Sequence, residues 1–461
     1  MAWSIGQLIE TRQGDQYALH RKYSNASLAR VQEIIGFDKT YCRGQGSWLW
    51  DTADNRYLDL LSGFGVFNLG RGHPVVKQAI QEAICLDLPN LVKMDCPLLA
   101  GLLAEQLVAR MPPGLEAVYF ANSGAEAVDT ALKFARAATK RPRMLYLDHA
   151  FHGVTLGTLP VNGDNSFRQG FEPLMPGFDV LPMNDLSALE TQLRRRDVAA
   201  LLVEPIQGKG VHIPADGYLP EAQSLCRKYG ALFICDEVQV GMGRTGRFLC
   251  CEHWGLEPDI VTLSKALGGG YMPVGATIAR RGVHDKTFSS LDRCQVHSTT
   301  FGQNELAMAA GLATLQVLDE ERLVERAALM GEKLLGGLRA LQGRYDMIAD
   351  VRGKGLMIGI EFQAPRSLSL RAAWATTETA RKGLFTQLVV MTLMREHRIL
   401  TQVAGPDVNI IKLLPALIIG DEEVDLIVSA FDAVMAETLE VRGRVWRQSV
   451  ELVKHALAGG R

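Results

Sequence analysis

The chain has 461 residues, with 49 lysines and arginines against 51 aspartates and glutamates, a formal charge of −2. That balance excludes an electrostatic nucleic-acid binder, which needs a basic face on a net-positive domain. A content of 47% hydrophobic and 22% charged residues likewise excludes the apolar-poor profile of a disordered chain. No apolar run is long enough to span a bilayer; the longest, Leu384 to Leu393, is broken by Thr386, Gln387 and Thr392. The eight cysteines show no C-x-x-C spacing and one adjacent pair, Cys250-Cys251, so neither a zinc ribbon nor a disulfide framework is expected and a reducing cytoplasm fits.

In chain order, Met1 to Glu10 lacks a basic start followed by an apolar run and is not read as a signal peptide. Trp48-Leu-Trp-Asp51 and Tyr57-Leu-Asp-Leu60 read as a hairpin, and residues 1–60 are assigned to a segment that joins the C-terminal domain or a partner subunit. Short apolar runs then recur: Ala117 to Phe120, Met144 to Leu147, Ala199 to Val203, Ala231 to Cys235, Ile260 to Leu263 and Gly275 to Ala279. Continuous apolarity over such lengths predicts strands buried on both faces, hence a mostly parallel sheet. Between them lie helical-period segments such as Ser123 to Ala138, with Ala125, Val128, Leu132 and Ala135 on one face. This alternation predicts an α/β fold with a large doubly wound domain over residues 61–304. After Asn304 come a long helical stretch to Gln342, a strand Gly355 to Phe362, a helix to His397, a strand Asn409 to Leu414 and a last helical region. Residues 305–461 are read as a smaller α+β domain, and the basic helix from Glu437 to Lys454 as a solvated face.

In an open parallel sheet, ligands bind beyond the carboxyl ends of the strands. There the sequence places Glu204 after Val203, Asp236-Glu237 after Cys235, and Ser264-Lys265 after Leu263. Any one strand-end charge is most simply a solvated loop residue; two carboxylates and an amine on one rim favour a site. Ser123 with Glu126 matches a capping box and Gly124 permits close backbone approach, so the helix that follows offers an anion site as well as an ordinary cap. A phosphate cradle, an isolated lysine and a buried aspartate are the parts needed to hold pyridoxal phosphate. Lys265 would form the Schiff base and shuttle the α-proton, and Asp236 would keep the pyridine nitrogen protonated.

The ordered motifs Asn122-Ser-Gly-Ala-Glu-Ala127, Phe151-His-Gly153, Val203-Glu-Pro-Ile-Gln-Gly208, Cys235-Asp-Glu-Val-Gln239, Gly241-Met-Gly-Arg-Thr-Gly246 and Leu263-Ser-Lys265 resemble those of the class III, ω-type, pyridoxal-phosphate aminotransferases, which include ornithine, acetylornithine and putrescine aminotransferases. The resemblance runs from about Gly46 into the C-terminal part. It implies fold type I, Ser123, Gly124 and Ala125 at the phosphate, Phe151 on the ring with His152 beside it, and Glu204 in cofactor-side hydrogen bonding. It also implies Asp236 at the ring nitrogen, Gln239 near the ring hydroxyl, Lys265 as the aldimine lysine with a pyridoxamine intermediate, and Thr300 reaching the phosphate of the neighbouring subunit. A homodimer with shared sites follows.

Several features compete with or depart from that pattern. Gly241, Gly243 and Gly246 fit the spacing G-x-G-x-x-G of a dinucleotide-binding oxidoreductase, but no clear apolar helix face follows. His149 and His152 lack a third metal ligand nearby. A regulatory protein that kept the fold without catalysis would usually lack the lysine, whereas an aminomutase would share every cofactor residue. Ornithine-type enzymes commonly continue Phe-His-Gly with an arginine that grips a carboxylate, and here the residue is Val154. Their paired acid and second arginine correspond to Lys209 and Lys412, compact charges without a planar fork. Lys209 reads equally as a solvated loop lysine, while Lys412 interrupts an apolar strand and is expected to face a site. Phe64 stands where ornithine enzymes tend to have tyrosine, and with Phe67 and Val154 it predicts a more apolar pocket. The expected activity is transfer from an amino-acid donor, glutamate or alanine, to an aldehyde or ketone of low polarity, with a diamine as the runner-up donor.

Overall fold

The computed structural model describes residues 3–92, 94–440, 443 and 445–446. Most of the helix read over residues 437–454 lies outside the described residues; the helix before it ends at Thr438. A seven-stranded sheet forms the centre, in the order Leu115–Ala121, Gly275–Arg280, Ile260–Leu263, Leu232–Asp236, Val198–Val203, Arg143–Leu147 and Phe178–Leu181. The last five strands run parallel, while Gly275–Arg280 is antiparallel to both of its neighbours.

The continuous apolarity of these strands has a direct cause. Successive side chains point to opposite faces, and both faces are covered. Met144, Tyr146, Leu202, Ile234 and Ile260 join one core with Val128, Phe134 and Ala135 of the helix Gly124–Thr139. Leu145, Leu147, Leu201, Val203, Phe233 and Val261 join the other.

A second, antiparallel sheet has the order Ile348–Lys354, Met357–Phe362, Ile410–Leu413 and Gln402–Val403. The expected N-terminal hairpin is Trp48–Asp51 with Arg56–Asp59, preceded by Tyr41–Gln45, and its last strand pairs in parallel with Ile399–Leu400. The sequence reading did not single out the strands Phe178–Leu181 and Ile348–Lys354, or the helices Ile5–Arg12, Gln16–Tyr23 and Ala26–Ile35. The two strands lie at sheet edges, where a half-exposed run carries no continuous apolar signal. The first two helices bury no residue and the third buries only Ala29. Among the described residues no helix is long and apolar enough to cross a membrane.

The segment Gly241 to Gly246 does not open an α-helix; a short 3₁₀ turn at Cys250–Trp254 follows. Its Arg244 side chain is fully buried. It donates to Leu356 O at 3.1 Å, to Asn68 Oδ1 at 2.6 Å and to Pro415 O. The glycine-rich spacing therefore serves a buried guanidinium that ties the central sheet to the N-terminal and C-terminal parts, not a dinucleotide.

Candidate active site

Three parallel strands end side by side, and each hands on a charged residue. Val198–Val203 leads to Glu204, Leu232–Asp236 ends on its own aspartate, and Ile260–Leu263 leads through Ser264 to Lys265. These residues border one cavity of about 470 Å³. Lys265 has a φ of 41°, in the left-handed region that costs a residue with a Cβ about 1–3 kcal/mol. Burial lowers its pKa, while Asp236 and Glu204 oppose that shift, so the amine gives up its proton more readily than an exposed lysine.

Asp236 is held from three directions. Its Oδ1 accepts from Val238 N at 3.1 Å and Thr262 Oγ1 at 3.0 Å, and its Oδ2 lies 2.7 Å from His152 Nδ1. The opposite ring nitrogen of His152 is buried without a partner in the protein. Glu204 joins two loops, accepting from Phe151 N at 2.9 Å through Oε1 and from Gly208 N at 2.7 Å through Oε2. Burial raises its pKa, further raised by Asp236 and opposed by His152 and the two amides.

The helix Gly124–Thr139 points its first turn at the cavity, which Gly124 and Ala125 line. Ser123 caps it, accepting from Glu126 N at 3.2 Å, and the Glu126 carboxylate reaches back to Asn122 N at 2.6 Å. The amides of Gly124 and Ala125 precede any intrahelical acceptor, which leaves them and the helix dipole for an anion. An anion cradle, an aromatic ring at Phe151, a fixed carboxylate and a buried amine on one cavity suit pyridoxal phosphate. The fit rests on this donor set.

Of the residues singled out from sequence, Phe64, Phe151, His152, Gln239, Lys209 and Lys412 line the same cavity. Ser123, Val154, Phe67 and Thr300 are not in its lining. The Phe67 ring instead lies under the Arg71 guanidinium, 3.9 Å from it. Thr300 is exposed, next to Thr299, whose hydroxyl accepts from Asn122 Nδ2 at 2.7 Å.

The two lysines differ in their surroundings. Lys209 is paired with Asp164, Nζ to Oδ2 at 2.9 Å, and sits 3.6 Å above the centre of the Phe167 ring. Phe167 in turn meets Phe151 edge-on, with centroids 5.3 Å apart. Asp164 and Phe167 escaped the sequence reading because they belong to the three-residue 3₁₀ turn Asn165–Phe167 and its cap, too short to show a period. Lys412 is buried on its strand and donates to Gly208 O at 2.6 Å and Gln239 Oε1 at 3.1 Å. The Gln239 amide then donates through Nε2 to Phe64 O at 3.0 Å. Among the described residues no cluster of three or more histidine, cysteine or acidic side chains is arranged to hold a metal.

Residues 33–435 match the family model described as aminotransferase class-III. The chain is 45% identical over 361 residues to a putrescine aminotransferase of Pectobacterium atrosepticum, covering 74% of this chain and 76% of that one. It is 33% identical over 450 residues to the aminotransferase PigE of a Serratia strain, covering 91% of this chain and 53% of PigE, so it spans about half of that protein's length. The ornithine aminotransferase of Toxoplasma gondii, a structure with partial occupancy of pyridoxal phosphate at its active site, superimposes with a TM-score of 0.82 at 29% identity. That match covers 95% of this chain and all of the other.

Proposed function

The chain belongs to the class III, pyridoxal-phosphate-dependent aminotransferases, and from that premise we propose that it moves an amino group from an amino-acid donor, glutamate or alanine, to an aldehyde or ketone of low polarity. One observation carries the acceptor class: among the described residues the cavity that ends at Lys265 is lined by Phe64, Phe151, Phe167, Val403 and Pro406 and by no arginine. The charge of Lys209 is already matched by Asp164. An acceptor carboxylate would meet no bidentate partner on these walls.

When bound, pyridoxal phosphate supplies an electron sink for the pair left behind when a proton leaves the substrate carbon. The protein's part is binding, orientation and proton handling. The amides of Gly124 and Ala125 with the Ser123 cap would hold the phosphate, and Phe151 would cover one ring face. Asp236, immobilised by His152, Thr262 and Val238, would hold a proton on the ring nitrogen. Gln239 would meet the ring hydroxyl, and Glu204 keeps Phe151 and Gly208 in register. Lys265 Nζ would be the group that holds the cofactor aldehyde and, once freed from it, the base that carries the substrate proton. We include a homodimer in the proposal. It is supported by the exposure of Leu291 at 93% and of Phe301, next to Thr300, at 57%.

A second reading, a diamine donor, is favoured by the similarity to the putrescine aminotransferase. Incubating the loaded enzyme with hexanal and, separately, glutamate, alanine or putrescine decides between them. The proposal expects hexylamine together with the matching 2-oxo acid. Product from putrescine alone would establish the second reading, and release of neither a keto acid nor a free amine would point to internal rearrangement.

A further inference from the structure

Lys412 is an unusual group to find on this cavity. It lies on the strand Ile410–Leu413, all four residues of which are buried, opposite Gly359 on one neighbouring strand and Gln402 on the other. Neither of those partners carries charge. Its two hydrogen-bond acceptors, the carbonyl of Gly208 and the amide oxygen of Gln239, are neutral as well. The charged groups that face it from the surrounding elements are Lys265, Glu204 and Lys209. Lys209 is already paired to Asp164 and Glu204 is bonded to two backbone amides. The remaining carboxylate on the cavity, Asp236, is bonded to His152, Val238 N and Thr262 Oγ1.

Two neutral acceptors match the two protons of an uncharged amine. A protonated lysine has three N–H groups, and among the described residues no third acceptor takes the last one. That direction is therefore a lone pair when the amine is neutral and a charged donor when it is protonated. Either form leaves the two protein contacts unchanged.

The geometry points to Lys412 as a proton-switched specificity residue: it takes up a proton when a carboxylate-bearing substrate enters the cavity and gives it back when an uncharged, apolar substrate replaces it. The inference rests on the proposed pairing of an amino-acid donor with a low-polarity acceptor. It explains how one cavity could serve both without a side chain swinging away. Burial, with the nearby Lys265, pulls the pKa of Lys412 down to about 7, so the proton would be exchanged near neutral pH. A bound carboxylate would raise that value, and the shift would be read as proton uptake.

The test is calorimetric binding to the pyridoxal-phosphate-loaded enzyme at pH 8, in two buffers of different ionisation enthalpy. Hexanoate serves as the carboxylate probe and hexanamide as its uncharged counterpart. The wild type should take up about one proton per hexanoate and none per hexanamide, and hexanoate affinity should fall as much as about tenfold per pH unit above about pH 7. Lys412→Met should abolish the uptake and weaken hexanoate at pH 7 at least tenfold while keeping hexanamide binding. Lys412→Arg, permanently charged, should bind hexanoate with no proton uptake and no pH dependence between pH 7 and 9. The inference is overturned by absence of uptake in the wild type, or by uptake that persists in Lys412→Arg. Turnover of hexanal plays no part in this measurement, so a failed aldehyde acceptor and a failed lysine switch give different results.

Discussion

At the scale of single residues, the proposed chemistry divides the work between Lys265, as a mobile proton carrier, and Asp236, as a fixed charge. Lys265→Ala should leave no borohydride-trapped adduct on the peptide bearing position 265 and no yellow colour. Its rate should fall by roughly 10²–10⁴ through the lost proton transfer alone. Asp236→Ala should still bind the cofactor weakly but lose about 10²–10³ in rate, because His152 and Thr262 would then surround an empty position where charge must be stabilised. Half-reaction absorbance with glutamate separates the two. Both residues were legible because each ends an apolar strand run. The His152–Asp236 contact was not, since it joins positions 84 apart. Nor did spacing reveal that Lys209 is spent on Asp164 while Lys412 has no carboxylate partner, as that depends on where a loop folds back.

At the scale of elements, the turn after the strand Leu232–Asp236 is anchored by Glu237. Its two oxygens accept from Cys250 N at 2.8 Å and Cys251 N at 2.7 Å. Burial pushes this carboxyl up from 4.5 to about 7. A raised folded pKa favours the native state below the unfolded value and loses that advantage as pH climbs through the folded one. From pH 4.5 to 7, therefore, the wild type should lose up to about 3 kcal/mol relative to Glu237→Gln, read as a wild-type thermal midpoint that falls relative to the variant's as pH rises. The glycine-rich segment is equally constrained. Gly246 has a φ of +80°, and a Cβ there would lie 2.8 Å from Ala328 Cβ on the helix Leu323–Arg344. Gly246→Ala should cost about 1–3 kcal/mol in urea unfolding. Strand-forming runs were legible wherever both faces are covered; Phe178–Leu181 and Ile348–Lys354 were not, because half of each edge strand faces outward and the periodic signal halves with it.

For the whole molecule, Arg244 is the tie among the central sheet, Asn68 and the C-terminal carbonyls of Leu356 and Pro415. Arg244→Met leaves these acceptors buried and unmatched, at a cost of about 1–3 kcal/mol for each group stranded. Scanning calorimetry should show an earlier or divided transition. The exposed Trp3, at 80%, with Ile5 and Ile9 on a helix that buries nothing of its own, leads us to expect that the chain self-associates. Light scattering should return twice the mass of one chain, and deletion of residues 1–35 should lower it or broaden it. The parallel sheet was evident from composition and periodicity, whereas the three N-terminal helices were not, since a segment that buries only Ala29 within its own chain shows no core-facing stripe.

The buried carboxylate of Glu204 grips the backbone at Phe151 and at Gly208 together, so one wall of the cavity is bolted down. Beside it, Phe167 of the 3₁₀ turn Asn165–Phe167 leans on Phe151, and the stretch from Val403 to Pro406 begins on a two-residue edge strand. Room for bulkier acceptors is therefore more readily carved at these positions, which Glu204 does not hold, and repertoires that diverge from this scaffold should differ there first.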